Sequence, residues 1–243
     1  IWTSRHIPEN NPILLDRFLV NAKEIDVDLI RDKENNVYIG GVMEHVEEAG
    51  IHSGDSSCSI PPYSLSTTII NEIERQSKIL ANELNIIGIM NIQFAIQNDK
   101  IFVLEVNPRA SRTDPFVAKS TGVQIAKLAT RIIMGNSLKD FKNLINYRDL
   151  NLFSVKEPVF PFKKFQNVDV LRGPEMKSTG EVMGIDKTFE AAFLKSQKAA
   201  SIKLPDKGTV FLSVKDKDKY ELIAIAKKLI VLGFDLIGTA GTS

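Results

Sequence analysis

Oxygen-bearing side chains lie on two neighbouring strand-like segments, 89–96 and 101–106, and directly after the second. Side chains two apart on a strand share a face. If the intervening turn is the three residues 98–100, Gln93 lies opposite Glu105, and Asn107 follows just beyond on the same face. Mg²⁺ prefers oxygen ligands and usually takes one or two carboxylates together with substrate phosphates. The spacing therefore indicates a site for a hard cation on a rigid hairpin.

The opposite face of this hairpin supports the same pairing. With Gln93 opposite Glu105, one continuous apolar surface forms from Ile92, Phe94, Phe102, Leu104 and Val106. A slip of one residue would scatter these side chains over both faces. The spacing alone leaves a second interpretation open, in which Glu105 and Asn107 lie on the solvated face of an ordinary sheet.

Two arginines follow the hairpin at once. Arg109 and Arg112 carry planar guanidinium groups, which bind phosphate oxygens through paired hydrogen bonds. We therefore expect the end of the second strand to meet an anionic group beside the cation.

The elements that must position these residues can be read from periodicity and turn residues. Segment 24–28 alternates acidic with apolar residues and predicts a strand with one polar face, paired in a hairpin with 37–43. Residues 47–62 are rich in Gly, Ser, Asp and Pro and predict a long functional loop. Helices are predicted at 67–84, with Ser66 as N-cap, and at 123–134.

The remainder of the chain predicts a second, smaller unit. Segment 138–203 is mixed and contains one clear helix at 189–200. Strand 209–214, helix 219–232 and strand 234–237 form the start of a parallel α/β unit, with a boundary at 204–206. We therefore predict an α/β fold: an α+β lobe built on an antiparallel sheet, followed by a truncated parallel βαβ unit.

Composition excludes few classes of protein and favours a reducing compartment. The 243 residues carry a net charge of +1, which gives no argument for nucleic acid or a membrane surface as partner. Cys58 is the one cysteine, so no intrachain disulfide can form and a cytoplasmic location fits. There is no apolar run of membrane-spanning length. Because the chain starts at Ile1 without Met, we expect a piece of a longer protein.

A family resemblance agrees with this chemistry. Residues 105–109 read Glu-Val-Asn-Pro-Arg and resemble the E-x-N-P-R signature of ATP-grasp enzymes, which make acyl phosphates from MgATP. Residues 110–122 resemble the second synthetic half of the carbamoyl phosphate synthetase large subunit, and segments 40–56, 154–157 and 173–184 are similar to the same family. Asp114 departs from the family pattern, which has a small apolar residue there. The resemblance covers nearly all of 13–242.

The resemblance implies a division into parts. Residues 1–137 would be the large ATP-grasp lobe of the second synthetic half, 138–204 its trailing part and connector, and 205–243 the start of a methylglyoxal-synthase-like regulatory domain. The turn 238–242 is similar to that domain's phosphate-binding turn. The small ATP-grasp lobe precedes this sequence in the family, so we expect the isolated chain to lack synthetase activity.

The resemblance also implies roles for particular residues. Gln93, Glu105 and Asn107 would bind Mg²⁺ or Mn²⁺, with K⁺ as a further candidate, and Arg109 and Arg112 would be catalytic. The residues implied in ATP binding are Arg17, Leu19, Glu24, Gly50, Ile51, His52, Ser53, Gln93 and Glu105. Without the resemblance, Glu24 would be interpreted as a half-exposed strand acid.

An effector site is implied as well. Bacterial members of the family are activated by ornithine, and the matching acids here are Glu47, Asp55 and Glu157. A cluster of acids suits a diamine cation, but the same acids could equally be loop residues that face water.

The implied activity is ATP-dependent phosphorylation of carbamate, within a synthesis of carbamoyl phosphate that serves pyrimidine and arginine production. Implied partners are a glutaminase small subunit and small-molecule effectors, with a homo-oligomer as a candidate assembly. Two alternatives stay open at this point. One is a different ATP-grasp ligase or carboxylase, and the other is a non-catalytic, effector-binding module.

Overall fold

The computed structural model describes residues 17–162 and 170–242. The chain divides into two compact units, one ending at Ala200 and the other beginning at Ser201. The first unit contains the strands β1 (Lys23–Arg31), β2 (Val37–Glu48), β3 (Cys58–Ile60), β4 (Gly88–Gln97), β5 (Lys100–Asn107), β6 (Phe153–Val159) and β7 (Gly180–Asp186). Its helices are α1 (Thr67–Glu83), α2 (Asp114–Thr121), α3 (Ile125–Ile133) and α4 (Phe189–Ala199).

The strands of the first unit form one antiparallel sheet in the order β5-β4-β1-β2-β3-β6-β7. Strand β1 lies near the middle and pairs with both β2 and β4. The alternation predicted for β1 is confirmed, but its acidic face is buried along with its apolar face. Buried acids need hydrogen-bond partners or a shifted pKa. The polar side of β1 is therefore a candidate position for a functional site.

The main core lies between one face of the sheet and the helices α1 to α3. It joins strand residues such as Val27 and Ile92 to Ile73 of α1, Phe116 of α2 and Ile132 of α3. Helix α1 begins as predicted, because Ser66 accepts a hydrogen bond from the Ile69 amide as its N-cap. Burying this apolar face fixes which side of the sheet is left for polar side chains.

Helix α4 packs against the β6–β7 end of the sheet. Gly184 of β7 makes the close approach possible, since a Cβ at this position would overlap the backbone oxygen of Ala192. The helix predicted at 189–200 is therefore confirmed, and it covers strands that periodicity did not reveal.

Three sequence expectations need correction. The segment 47–62, predicted as a loop, contains the end of β2, a 3₁₀ turn at Ser53–Asp55 and the sheet strand β3. The mixed segment 138–203 contains two further strands of the same sheet, β6 and β7. Helix α2 was not predicted. These elements are short, and neighbouring parts of the chain supply their burial, so local periodicity is weak there.

The β4–β5 hairpin differs from the prediction in its turn. The loop has two residues, Asn98 and Asp99, both with positive φ, rather than the three predicted. Gln93 nevertheless pairs with Glu105, because Phe94 pairs with Val103 and Leu104 is an extra, bulged residue.

The bulge also corrects the predicted apolar face of this hairpin. Phe102 lies opposite Ala95, on the same side as Gln93, and Leu104 is 48% exposed. Ile101 and Val103 take the positions expected for Phe102 and Leu104, on the side of Phe94.

The second unit contains β8 (Gly208–Leu212), α5 (Lys219–Val231) and β9 (Phe234–Gly238). The two strands are parallel, which confirms the predicted βαβ arrangement. Helix α5 has no buried residue. Across the described residues of both units, no helix is long and apolar enough to cross a membrane.

Candidate functional site

A cavity of about 420 Å³ lies on the polar side of the sheet. Its lining residues come from β1, β4 and β5, from the segments after β2 and after β5, and from Pro174. Such a volume lies in the range of small-ligand sites. The lining residues are Glu24, Asp26, Gly50, Ile51, His52, Ser53, Asn91, Gln93, Leu104, Glu105, Arg109, Ser111, Arg112, Thr113 and Pro174.

The β4–β5 hairpin forms one wall of this cavity. Gln93 lies directly opposite Glu105, and Asn91 lies directly opposite Asn107. The buried Asn107 amide nitrogen has no hydrogen-bond partner. The terminal amide can turn about its last bond, so Asn107 can present its oxygen at this position instead. Together Gln93, Glu105 and Asn107 offer the oxygen donors that a hard cation prefers, and the residues fit such an ion.

Glu24 lies beside the segment that follows β2. It is only 5% exposed, which corrects the interpretation as a half-exposed acid. Its Oε2 accepts a hydrogen bond of 3.4 Å from the Gly50 amide. Burial raises the pKa of Glu24, while the charge of His45 partly offsets that effect.

The segment before β1 reaches the same place. Gly50 has a φ of 105°, and a Cβ at this position would lie 3.3 Å from Cε2 of Phe18. Arg17 and Leu19 flank Phe18 in the chain, and neither is among the residues that line the cavity.

A buried cluster that includes two residues of the cavity lining was not predicted as a group from the sequence. The carboxylates of Glu24 and Asp26 and the imidazole of His45 lie within 4.8 Å of one another. His45 Nε2 is 3.3 Å from Asp26 Oδ2. Burial by itself lowers the pKa of His45, but the hydrogen bond and charge of Asp26 raise it overall. Asp26 could have been found, since it shares the polar face of β1 with Glu24.

The cavity-lining loop 50–53 is held by hydrogen bonds to backbone and side-chain groups. The His52 amide donates to the Gly173 carbonyl at 2.8 Å, and the Gly54 amide donates to His52 Nδ1 at 3.0 Å. Lys156 Nζ donates to the Ser53 carbonyl at 2.9 Å. Burial, followed by the charge of Arg112, lowers the pKa of His52. Lys156 is an anchor that the sequence did not reveal.

The two predicted arginines lie on the segment that leaves β5. The Arg109 amide donates to the Asn107 carbonyl at 2.8 Å, which turns the chain at the end of the strand. Arg112 NH1 contacts the sulfur of Met176. Both arginines are exposed and line the cavity, so both charges face the space in front of Gln93 and Glu105.

The family model for the carbamoyl-phosphate synthase L chain, ATP-binding domain, matches residues 3–141. This chain belongs to that family. The match includes every lining residue of the cavity except Pro174.

Curated members of the family align over almost the whole chain. The chain is 52% identical over 244 residues to the carbamoyl phosphate synthase large chain of Xanthomonas campestris, which covers 97% of this chain and 22% of that protein. It is 49% identical over 251 residues to the carbamoyl phosphate synthase large chain, C-terminal section, of Aquifex aeolicus, which covers 97% and 47%. The chain therefore spans less than half the length of these relatives.

Solved structures of lower sequence identity share the fold of this chain. The biotin carboxylase domain of a thermophilic 2-oxoglutarate carboxylase, bound to bicarbonate, matches with a TM-score of 0.57 at 18% identity, over 75% of this chain and 46% of that chain. The biotin carboxylase of Campylobacter jejuni matches with a TM-score of 0.50 at 15% identity, over 60% and 31%. The sheet and its helices are thus an ATP-grasp fold.

The three acids that the family resemblance links to an effector lie away from the cavity lining. The Ser57 amide donates to Glu47 at 2.7 Å, and the Ser57 hydroxyl donates to Glu157. Asp55 instead accepts from the amides of Lys177 and Ser178 at 2.7 and 2.9 Å.

Glu47 and Glu157 thus share Ser57 as a hydrogen-bond partner, whereas Asp55 has other partners. Arg172 forms an ion pair with Glu47, so a cation already occupies one side of the group. Burial raises the pKa of Glu157, and the hydrogen bond from Ser57 partly offsets it.

Proposed function

We propose that this chain supplies the ATP-binding, carbamate-phosphorylating part of a carbamoyl phosphate synthase large chain. One observation carries the proposal: the β4–β5 hairpin sets Gln93 opposite Glu105 on the wall of a cavity that Arg109 and Arg112 also line. A place for a cation and a place for transferring phosphoryl oxygens thus adjoin each other. Phosphoryl transfer depends mainly on such positioning and charge stabilisation.

Gln93, Glu105 and Asn107 are the proposed ligands of Mg²⁺ or Mn²⁺, with K⁺ as a further candidate cation. When bound, the cation neutralises charge on the ATP phosphates. The carboxylate of Glu105 is exposed at the cavity, so it can reach a solvated ion without a change in the hairpin. The bulge at Leu104 changes the register of β5 next to Glu105, so β5 is less regular there than its partner strand β4.

The nucleotide is proposed to lie between the hairpin and the loop 50–53. Glu24 can accept hydrogen bonds from both ribose hydroxyls, and Gly50, Ile51, His52 and Ser53 cover the cavity beside it. Arg17 and Leu19 are proposed contacts of the base, because the segment that carries them lies against Gly50.

Arg109 and Arg112 are proposed to hold the phosphate and carbamate oxygens. Their guanidinium groups stay charged throughout and donate paired hydrogen bonds to oxyanions. In this arrangement the chain's own residues bind and orient the two reactants, and they offset the negative charge that develops between them.

The whole protein is proposed to make carbamoyl phosphate from bicarbonate, ammonia released from glutamine, and two ATP. A glutaminase small subunit is the proposed partner, and pyrimidine and arginine production are the proposed outlets. Glu47, Asp55 and Glu157 are proposed to bind an ornithine-like effector. The meeting of Glu47 and Glu157 at Ser57 supports this for two of the three acids.

The test uses the full-length large chain that carries this segment, together with its small subunit. The assay is phosphoryl transfer from carbamoyl phosphate to MgADP, the reverse of the proposed step. Glu105→Ala should reduce this rate by about 100-fold or more, because a charge-stabilising group is lost from the transition state. Glu181→Ala, which removes an exposed acid of β7, is the matched control and should keep the rate.

Equal rates in the two variants would overturn the proposal and favour an effector-binding module instead. Calorimetric titration with MgATP in the same variants separates binding from chemistry. Loss of MgATP binding in Glu105→Ala alone supports a cation site on the hairpin.

A further inference from the structure

Four side chains meet between the floor of the cavity and the start of α2. Asp28 comes from β1, Ser111 and Thr113 come from the segment that carries the arginines, and Asp114 opens α2. Asp28 has no exposed surface, and Asp114 is 6% exposed. Asp28 Oδ2 lies 2.9 Å from the Ser111 hydroxyl and 2.8 Å from the Thr113 hydroxyl. The Ser111 hydroxyl also lies 3.2 Å from Asp114 Oδ1.

The oxygens in this group outnumber the hydrogens that can join them. The two hydroxyls lie 2.8 Å from each other, which makes four oxygen–oxygen contacts together with the three above. Ser111 and Thr113 supply only one hydroxyl hydrogen each. If both carboxyls were ionised, two of the four contacts would contain no hydrogen. A proton on Asp114 that is donated to the Ser111 hydroxyl fills one of them.

Electrostatics agree with this proton count. Burial raises the pKa of Asp28, and the charge of Asp114 raises it further. Burial also raises the pKa of Asp114, against hydrogen bonds from Ser111. Asp26, on the same strand as Asp28, adds to the effect, whereas β4 contributes the neutral amide of Asn91, whose nitrogen donates to Asp28 at 2.8 Å.

On β2, the residue opposite Asp28 is Gly41, which has no side chain to titrate. The charged and polar groups that act on Asp28 thus include Asp26 on its own strand, Asp114 of α2 and the neutral amide of Asn91 on β4.

We propose that Asp28 and Asp114 share one proton and act as positioning residues, which hold segment 109–113 on the sheet and keep Arg109 and Arg112 at the cavity. The importance of the two arginines rests on the proposed function, whereas the shared proton does not. When the second carboxyl ionises, two buried negative charges face each other across Ser111, and the segment loosens.

The direction of the pH effect follows from the raised pKa values. The folded protein binds a proton that the unfolded chain releases at about pH 4. The stabilisation is complete below that pH and is lost as pH rises through the higher pKa of the folded pair. The arginine segment should therefore be held best on the acidic side of that pKa.

The first measurement is infrared difference spectroscopy of the full-length large chain, from about pH 5 to about pH 9. The carbonyl band of a buried, protonated carboxyl should disappear as pH rises. In Asp114→Asn it should disappear at a lower pH than in wild type, because the charge that raises the pKa of Asp28 further is gone. The control Asp235→Asn, which removes an exposed acid of the second unit, should behave as wild type. A wild-type spectrum without a titrating carboxyl band overturns the proposal, even if the variant does not fold.

The second measurement is amide hydrogen exchange of Ser111 and Thr113, whose amides donate to Asp114 and to the Ser111 hydroxyl. After correction for intrinsic rates, wild-type protection should fall by about tenfold for each unit of pH between about pH 4 and the pKa of the pair, and it should level off above that pKa. Asp114→Asn should keep its protection across the range. The same fall in both proteins overturns the positioning role.

The steady-state pH profile then links the segment to activity. Wild-type turnover should decline with rising pH while Asp114→Asn stays flat, and equal declines count against the link. If the full-length protein shows no transfer between carbamoyl phosphate and MgADP at any pH, the proposed function fails. The infrared and exchange results still decide the shared proton.

Discussion

Asp28 and Asp32 lie four positions apart, one within β1 and the other directly after it, and both are fully buried. Asp32 accepts five hydrogen bonds, from the Glu34, Asn36 and Leu138 amides, the Asn36 side chain and the Ser137 hydroxyl. Burial alone would raise the pKa of Asp32, but these donors lower it to about 2. Asp28, in contrast, has a raised pKa.

The difference lies in the donors rather than in burial. Three of the donors to Asp32 are backbone amides, which are fixed and cannot turn away. Two of the three donors to Asp28 are hydroxyls, and a second carboxyl stands behind them. One end of this stretch therefore holds a permanent charge that closes a turn, and the other holds a proton beside the candidate site.

The largest effect should come from removing the charge at the turn. Asp32→Ala leaves several buried donors without a partner and should lower the free energy of unfolding by roughly 3 kcal/mol. Denaturant unfolding of this chain measures it, with the exposed Asp206→Ala as control, which should change stability by less than about 0.5 kcal/mol. A loss in Asp32→Ala as small as in the control would show that the donors find water instead.

A smaller effect should appear in acid. The lowered pKa of Asp32 means that its stabilisation is present above about pH 4 and is lost as pH falls through about 2. Asp32→Asn should therefore flatten the acid limb of a plot of unfolding free energy against pH. An acid limb of unchanged slope would assign the acid sensitivity to other carboxylates.

The smallest effect should come from the cavity end. In Asp28→Asn, a neutral amide of the same shape takes the place of the carboxyl that shares a proton with Asp114. The substitution should therefore change the free energy of unfolding by less than about 1 kcal/mol. Thermal or denaturant unfolding at neutral pH measures this beside Asp32→Asn. A loss in Asp28→Asn equal to that in Asp32→Asn would remove the distinction between the two aspartates.

The sequence predicted the strands and helices whose patterns are strong. β1, β2, α1 and α3 were found because their apolar side chains recur with the period of a strand or a helix. β3, β6 and β7 were missed, since their burial depends on partners far along the chain: β3 pairs with β6, almost a hundred positions away.

The site was predicted in the same uneven way. The pairing of Gln93 with Glu105 was correct although the predicted turn was one residue too long, because the bulge at Leu104 restores the register. The shorter turn and the extra bulged residue compensate each other. The apolar pattern could therefore indicate that Gln93 pairs with Glu105, but not the length of the turn or the position of the bulge. Lys156 and Pro174 reach the cavity region only through the fold and have no local signal.

The sequence by itself determined the family, the hairpin that carries Gln93 and Glu105, and the arginines that follow it. These depend on residue type and on spacing within one short segment. Only the tertiary structure decided that the acids of β1 are buried, that Asp28 meets Asp114, and that Asp32 meets the Ser137 and Leu138 donors. The charge of a carboxyl depends on its surroundings, and those surroundings come from segments that are distant in the chain.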